Sequence, residues 1–372
     1  MNLLENINHK TAHSWRKFLL FCLLFIIVNS SFITAQVGGE ATYSFLNLTP
    51  SAQVAALGGK LNAVTGSDPS LAFYNPGLLD STSNRNLSLN FVNLFAGVNF
   101  GYAAYSRSYH HVGNFAAGVH YINYGKFTGA DESGLLTGEF TAAEYAFNFT
   151  YSRVLPWLDS TLLVGCNVKP LLSVFEQYTS YGLLADIGVT YRRTDRLFTA
   201  ALVLRNIGGQ LTPYSDGGRE PVPFEIQLGL SQQLQEAPFR FSIVVQHLER
   251  MRMGYNKINL YPAPGQTSVK EEDLKKGFDL VLDETMRHLL FGVECFPFHG
   301  LTLRAGYNYN RRQEMKVDTR TGLTGFSFGL GIQLQRFSIS YARSMWHLAG
   351  ASDHFSISVN LHYSGHCGHT VY

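Results

Sequence analysis

Apolar and polar residues alternate along much of this chain. The clearest case runs from Phe355 to Tyr363, where every second side chain is apolar or aromatic. A period of two is typical of a β-strand whose two faces meet different surroundings. The same alternation occurs at 224–231, 301–310 and 326–334. In each of these runs one face is compatible with lipid, and the other face is hydrated or small.

Similar segments recur along the rest of the chain. They are, approximately, Leu87–Phe95, Val98–Ser108, Phe115–Phe127, Phe140–Val154, Leu162–Phe175, Tyr181–Arg192, Phe198–Ile207, Phe239–Leu248, His288–Phe298 and Phe337–Met345. Many of them approach the roughly nine to eleven residues that a tilted strand needs to cross a membrane. The sequence therefore predicts an all-β fold, an antiparallel transmembrane β-barrel of about 14 strands, an even number as bacterial barrels require.

The connections between these segments differ in length in a regular way. The long ones follow odd-numbered strands and are 128–139, 208–223, 249–287, 311–323 and 346–353, whereas the short ones include 193–196, 236–237 and 335. Outer-membrane barrels show this alternation, because their periplasmic turns are short and their outer loops are long. The first pair of strands and the join near Tyr178 are exceptions. The pattern predicts which end of the barrel faces the cell surface.

The first residues predict export. A basic flank from Trp15 to Lys17 precedes an apolar run from Phe18 to Val28, and small and hydroxyl-bearing residues follow up to Ala35. This arrangement is typical of a signal peptide, and the run is shorter than the roughly 20 residues of a retained membrane helix. We therefore expect cleavage near Ala35 and a Sec-exported protein of the bacterial cell outer membrane.

Composition is consistent with a chain that faces lipid over part of its surface. Hydrophobic residues make up 45% of the chain and charged residues 15%, against a usual charged fraction of about 25%. The net charge of +2 argues against nucleic acid as a partner, which requires a clustered basic face. Cys166, Cys295 and Cys367 remain after cleavage, an odd number without metal-type spacing, so we expect no disulfide framework.

The segment before the first strand has a different pattern. Residues 51–59 are small and weakly helical, and Phe73 to Leu79 form a compact apolar turn that contains Asn75, Pro76 and Gly77. A barrel of this size has an open lumen unless something fills it. We expect a signal peptide at 1–35, a plug or hatch at 36–86, the barrel at 87–364 and a tail at 365–372. The alternative for 36–86 is a periplasmic segment ordered against the barrel rim.

Several short patterns resemble a known family. They are Gly38-Gly39, Tyr43 to Ala52, Ala56 to Gly59, Asn75-Pro76-Gly77, 89–91, 121–125 and 138–140. In order and spacing they look like those of the PorQ family, outer-membrane components of the type IX secretion system of Bacteroidetes that are related to PorV. The resemblance covers essentially the whole mature chain. More distantly, the Asn75-Pro76-Gly77 turn is similar to the Asn-Pro-Ala hatch of FadL-type fatty-acid transporters, with Gly77 in place of their alanine.

The PorQ resemblance implies a non-enzymatic role in the attachment complex that fixes secreted cargo to lipopolysaccharide. It implies a PorZ-like surface protein as the tethered partner, with PorU and PorV as further members of the complex, and it assigns the sortase chemistry to PorU. No catalytic residue carries over, and no cofactor is implied. The FadL-type likeness implies the alternative, a transporter of a hydrophobic small molecule.

Three groups of residues contain chemically active side chains, and a structural explanation is preferred for each. Residues 352–354 (Ser-Asp-His) have the letters of a hydrolase triad, but neighbours in a strand point to opposite faces. The end of the chain contains possible metal ligands in a spacing that matches no standard zinc site, namely His362, His366, Cys367 and His369. His110 and His111 are expected to face solvent in a turn. We therefore expect neither an enzyme nor a metal site.

The longest loop, 249–287, is the expected docking site, because loops on a rigid barrel are a usual place for recognition. The candidate docking residues there and in the next outer loop are Arg250, Arg252, Lys257, Tyr261, Lys270, Lys275, Lys276, Arg311 and Arg312. The alternative is a solvated charged loop that contacts only lipopolysaccharide. A transporter would need an apolar tunnel beside the plug, and the Ser, Gly, Gln, Asn and Thr residues of the inward faces predict none.

Overall fold

The computed structural model describes residues 41–94, 97–131, 133–155, 162–193, 195, 197–215, 218–253, 278–315, 322–347 and 350–361. The expected signal peptide and the tail at 365–372 lie outside the described residues. The same holds for most of the longest loop, and therefore for the candidate docking residues Lys257, Tyr261, Lys270, Lys275 and Lys276.

Fourteen antiparallel strands form a closed barrel in the described part of the chain, in which β1 pairs with β14 and every other strand pairs with its neighbours in sequence. The strands are β1 (Asn86–Asn93), β2 (Asn99–Tyr109), β3 (Gly113–Ala130), β4 (Leu136–Val154), β5 (Leu162–Phe175), β6 (Tyr178–Arg193), β7 (Phe198–Thr212), β8 (Glu225–Gln233), β9 (Phe239–Val245), β10 (Leu289–Phe298), β11 (Leu301–Asn308), β12 (Phe326–Gln333), β13 (Phe337–His347) and β14 (Gly350–Asn360). This confirms the predicted fold class.

The alternation along each strand separates a lipid-facing side from an inward side. In β14, Phe355 and Ile357 are exposed on the outside, while Ser356 and Ser358 are buried on the inside. The same holds for β1, where Leu89 is exposed and Ser88 is buried. Closure pairs every strand, which is what a chain needs when no water is available to its backbone. The barrel is therefore of the outer-membrane type.

The two ends of the barrel differ. At the loop end lie the connections 213–224, 246–288 and 309–325, and at the turn end lie short ones such as 299–300 and 334–336. The predicted long loop at 346–353 is wrong, because β13 runs to His347 and β14 begins at Gly350. The predicted loop at 128–139 is also shorter than expected, since β3 and β4 extend into it.

Two helices lie in the loop-end connections, and a third lies before the first strand. They are α1 (Ala52–Ala56), α2 (Phe278–His288) and α3 (Tyr309–Met315). No helix among the described residues is long and apolar enough to cross a membrane.

Residues 41–85 pass through the barrel from its loop end to its turn end. The Tyr43 hydroxyl hydrogen-bonds Ser180 near the loop end at 2.6 Å, and Asp80 forms an ion pair with Arg192 near the turn end at 2.8 Å. Between these points α1 packs on β11 to β14, and the turn at 76–78 packs on β4, β5 and β6. This segment is called the plug below.

Candidate functional site

The lumen has a band of apolar side chains on the inner surface of β1 to β6. Six inward-facing residues of β1 to β6, each almost completely buried, form it: Val92, Phe100, Ile122, Ala146, Leu171 and Leu184. The side chains of Tyr43, Phe45 and Leu46 from the plug cover this apolar wall. The expectation that the inward faces favour small and polar residues is therefore wrong at these six positions.

The apolar wall continues toward the loop end as a partly exposed rim. Partly buried hydrophobic residues packed against it are Leu48, Leu94, Val98, Tyr124 and Val222. The backbone N–H of Thr42 donates to the carbonyl of Pro221 at 2.9 Å, which fixes the start of the plug beneath this rim. Hydrophobic residues therefore line the mouth beside β1 to β3. Beside β4 and β5 a polar pair lies between the mouth and the apolar wall, in which Ser173 donates to Glu144 at 2.9 Å.

A charged network lies one step closer to the turn end, and we call it the polar floor. The Nζ atom of Lys169 lies 2.7 Å from a carboxylate oxygen of Asp186, and both side chains are fully buried. Asp186 also accepts from the backbone N–H of Asn206 at 2.8 Å and from the amide of Asn167 at 3.1 Å. These contacts satisfy the buried carboxylate, which would otherwise be costly to desolvate.

His120 lies at the boundary between the apolar wall and the polar floor. Its ring is completely buried, at 5.3 Å from the ring of Phe45 and 5.1 Å from the ring of Phe73. Neither ring nitrogen has a hydrogen-bond partner among the described residues. Aromatic rings of the plug and of β2 therefore surround this imidazole.

Two glycines of the wall receive the predicted plug turn, and we call them the glycine cradle. Gly165 and Gly188 are paired partners in β5 and β6. A Cβ atom on Gly165 would lie 2.4 Å from the carbonyl of Pro76, and one on Gly188 would lie 2.0 Å from Oδ1 of Asn75. Asn75 Oδ1 also accepts from the backbone N–H of Gly77 at 2.8 Å. Because these two wall positions have no side chain, the turn can pack directly against the wall.

The two loop-end helices meet beside a shallow apolar recess. Its volume is about 460 Å³, and Asp279, Leu282, Asp283, Met286 and Tyr309 line it. The Tyr309 hydroxyl donates to Asp283 at 2.7 Å. Burial, together with this hydrogen bond to the carboxylate, raises the pKa of Tyr309 to about 12. Tyr309 is therefore a neutral donor at physiological pH.

Four of the candidate docking residues can be placed. Arg252 is exposed, and Arg250 lies 3.8 Å from Glu249. Arg312 is half-buried and donates to backbone carbonyls of its own connection at 3.3 Å. Arg311 differs from its expected surface position. Its side chain is buried, with the guanidinium carbon 4.0 Å from the ring centre of Trp346, so it supports the barrel mouth from inside.

The Ser, Asp and His side chains at 352–354 do not converge on one site. Ser352 and His354 lie two apart in a strand and therefore share one face, and their side chains hydrogen-bond at 2.8 Å on the inside of the barrel. Asp353 points the other way, toward Arg343 at 3.2 Å and Tyr341 at 2.7 Å. Within the described ranges, no group of three or more His, Cys, Asp and Glu residues is placed to hold a metal ion.

Comparison with known proteins gave matches among solved structures only, since no protein-family model and no curated protein matches the chain. The toluene transporter TodX of Pseudomonas putida is 12% identical with a TM-score of 0.48, over 84% of this chain and 96% of that chain. The CymD monoaromatic hydrocarbon channel has 12% identity and a TM-score of 0.48, over 85% and 99%. A FadL homologue of Pseudomonas aeruginosa has 11% identity and a TM-score of 0.47, over 84% and 99%. These values assign no substrate.

Proposed function

We propose that the protein admits a hydrophobic small molecule through the outer membrane, with its loop end toward the cell surface. The apolar wall is the observation that carries this proposal. Inward positions of a transmembrane barrel that meet only water are polar, and here six inward positions of β1 to β6 are apolar instead. Such a surface suits a hydrophobic ligand once the plug residues that cover it move.

The plug holds the wall closed by contacts that a ligand can replace. Phe45 and Leu46 are almost completely buried against it, and burying side chains of this size contributes roughly 1.5–3 kcal/mol each. A ligand of similar apolar area recovers that free energy when it takes their place. The partly exposed rim, which includes Leu94, Val98 and Val222, offers a first contact for a molecule arriving from the loop end.

Fixing the plug to the wall is expected to stop uptake. A Cβ atom on Gly58 would lie 3.8 Å from the Cβ atom of Leu290, within the range of about 3.5–4.5 Å for a disulfide. We expect the Gly58→Cys/Leu290→Cys variant, with Cys166, Cys295 and Cys367 replaced by serine, to reduce uptake of radiolabelled toluene and oleate to the empty-vector level when oxidised. The host strain should lack its own transporters for these compounds.

The reduced form of the same variant is the matched control. Gly58 has a φ of +99°, so a cysteine there carries backbone strain whether or not the disulfide forms. Reduction should restore uptake if the plug must move. If uptake by the unsubstituted protein does not exceed that of the empty vector, the transport proposal is refuted. If the oxidised form takes up these compounds undiminished, only the proposed movement of the plug is refuted.

A second candidate function is the docking of a surface partner in type IX secretion, with a PorZ-like protein as the partner and PorU, PorV and lipopolysaccharide as neighbours. The exposed face of α2 favours it, because Phe278, Val281 and Leu282 are exposed to solvent at the loop end. An exposed cluster of large apolar side chains often marks an interaction site. In this function the plug closes the lumen permanently and the loops bind the partner.

Removing residues 262–276 is expected to separate the two functions. Docking predicts that the shortened protein, purified from outer membranes of the native host, loses a co-purifying PorZ-like protein. Transport predicts unchanged co-purification and unchanged toluene uptake. The matched control is removal of 214–219 from the β7–β8 connection, which leaves the longest loop intact. Retention of the PorZ-like partner after the 262–276 deletion, and after its combination with Arg312→Glu, would refute docking through these loops.

A further inference from the structure

The third and fourth strands extend beyond their neighbours at the loop end. β2 pairs with β3 only as far as Asn123, and β5 pairs with β4 only as far as Ala142. β3 and β4 continue to pair with each other from Lys126 and Thr141 up to Ala130 and Leu136. Residues 126–131 and 133–141 are called the projecting hairpin below. At about 3.3 Å per residue its strands reach roughly 15–20 Å past the adjacent strands.

The projecting hairpin has an aromatic face and a charged face. Phe127 stacks on Phe140 with their ring centres 5.3 Å apart, and Lys126 pairs with Glu139 at 3.0 Å on the other side. At the tip, Leu135 and Leu136 are 70% and 71% exposed. A lone two-stranded hairpin is marginally stable in water, and a third strand is what usually stabilises it.

Both outer edges of this hairpin lack a strand neighbour in the described part of the chain. The carbonyl of Thr141 accepts from the N–H of Glu176 in the β5–β6 turn, so Thr141 directs its peptide groups away from β3. Peptide direction alternates along an antiparallel ladder, and Glu139 therefore directs its N–H and C=O to the same open side. Its ladder partner Thr128 directs its own groups to the opposite edge.

We propose that an extended segment of another protein adds to the β4 edge of the projecting hairpin as a further strand. An exposed edge is a template for strand addition, in which backbone hydrogen bonds give affinity and alternate side chains give specificity. The side chains along this edge determine which sequence can bind there. Phe140 takes an apolar side chain, and a basic one is taken by the exposed carboxylate of Glu176 and by that of Glu139, which it shares with Lys126. The occupant is an extended segment that alternates apolar and basic residues.

A second copy of this chain fits the edge poorly. Two barrels in one membrane have the same orientation, so a two-fold axis between them lies along the membrane normal and sets identical residues level with each other. Parallel pairing needs peptide groups that are staggered along the two strands, and the symmetry does not allow this stagger. Lipid does not satisfy peptide N–H and C=O groups. The proposal is independent of transport through the lumen.

Proline substitution tests the edge directly, because proline removes the N–H that an added strand uses. The probe is a fluorescein-labelled peptide with four Val-Lys repeats, and the readout is fluorescence anisotropy with the full-length protein in detergent. We expect Glu139→Pro to weaken binding by about tenfold or more. Thr128→Pro, at the same ladder level on the other edge, should change it less than about twofold.

A conservative variant separates the charge from the backbone. Glu139→Gln should keep the backbone pairing and reduce only the salt-sensitive part of the affinity. Heat-modifiable migration on an SDS gel verifies that each barrel is folded. No binding to the unsubstituted protein, equal loss with Thr128→Pro, or equal binding by Glu139→Pro would each overturn the proposal. A sedimenting dimer that Glu139→Pro dissociates would also overturn it, in favour of self-pairing.

Discussion

Replacing Gly188 by alanine is expected to dislodge the plug and open the barrel. The new Cβ atom would lie 2.0 Å from Oδ1 of Asn75 and 3.1 Å from the backbone nitrogen of Gly77. Asn75 cannot turn aside, because its amide donates to the carbonyl of Asn62 at 2.7 Å and to Thr190 at 2.9 Å. Moving it leaves buried polar groups without partners, at roughly 1–3 kcal/mol for each.

Planar lipid bilayers and limited proteolysis measure this outcome. The substituted barrel should conduct ions in long-lived steps, and trypsin should cut the plug at Lys60, which in the closed form pairs with Glu225 at 2.5 Å. Gly209→Ala is the matched control, because nothing lies within 4 Å of a Cβ atom added there. A closed, protease-resistant Gly188→Ala protein would show that the glycine cradle does not hold the plug.

The second large effect is expected at the polar floor. Lys169→Met leaves the Asp186 carboxylate in a fully buried position without its cation. Removing one partner of such a pair costs about 3–5 kcal/mol. The double variant Lys169→Met/Asp186→Leu removes both charges and should recover most of that loss, because apolar replacements of buried pairs are often neutral or stabilising.

Urea unfolding of the detergent-solubilised protein measures these differences in free energy. Lys126→Met is the control, since Lys126 and Glu139 form an ion pair on the projecting hairpin with side chains 73% and 64% exposed. Exposed pairs of this kind contribute about 0–1 kcal/mol. If Lys169→Met and Lys126→Met had the same small effect, the polar floor would be hydrated and would not act as a buried ion pair.

The strand pattern predicted the barrel because lipid and the lumen are different solvents. In β14 every second residue faces hydrocarbon and the others face serine-rich interior, so alternation was unambiguous. The alternation was less informative about the inward faces of β1 to β6. Phe100, Ile122 and Leu184 are inward-facing and apolar because Phe45 and Leu46 of the plug lie against them. Nothing in the strands themselves indicates what fills the lumen.

The loop residues show a second limit of local patterns. Arg311 follows a strand in sequence and therefore reads as a surface charge, yet α3 turns it back over Trp346. The sequence pattern predicted a loop at the ends of β3 and β4, because Gly129 and Gly138 interrupt the alternation. In the structure these two glycines pair directly with each other. In both cases the decisive partner comes from another segment of the chain.

The position of the plug also constrains the order in which the protein is built. Residue 52 precedes every strand, yet its N–H donates to Ser356 Oγ in the last strand at 2.8 Å, and the N–H of Gly58 donates to Ser327 Oγ at 3.1 Å. The seam between β1 and β14 closes the wall around these contacts. These contacts cannot form until the strands that carry Ser327 and Ser356 have joined the sheet. The segment made first therefore takes its final position last, together with the last strand of the wall.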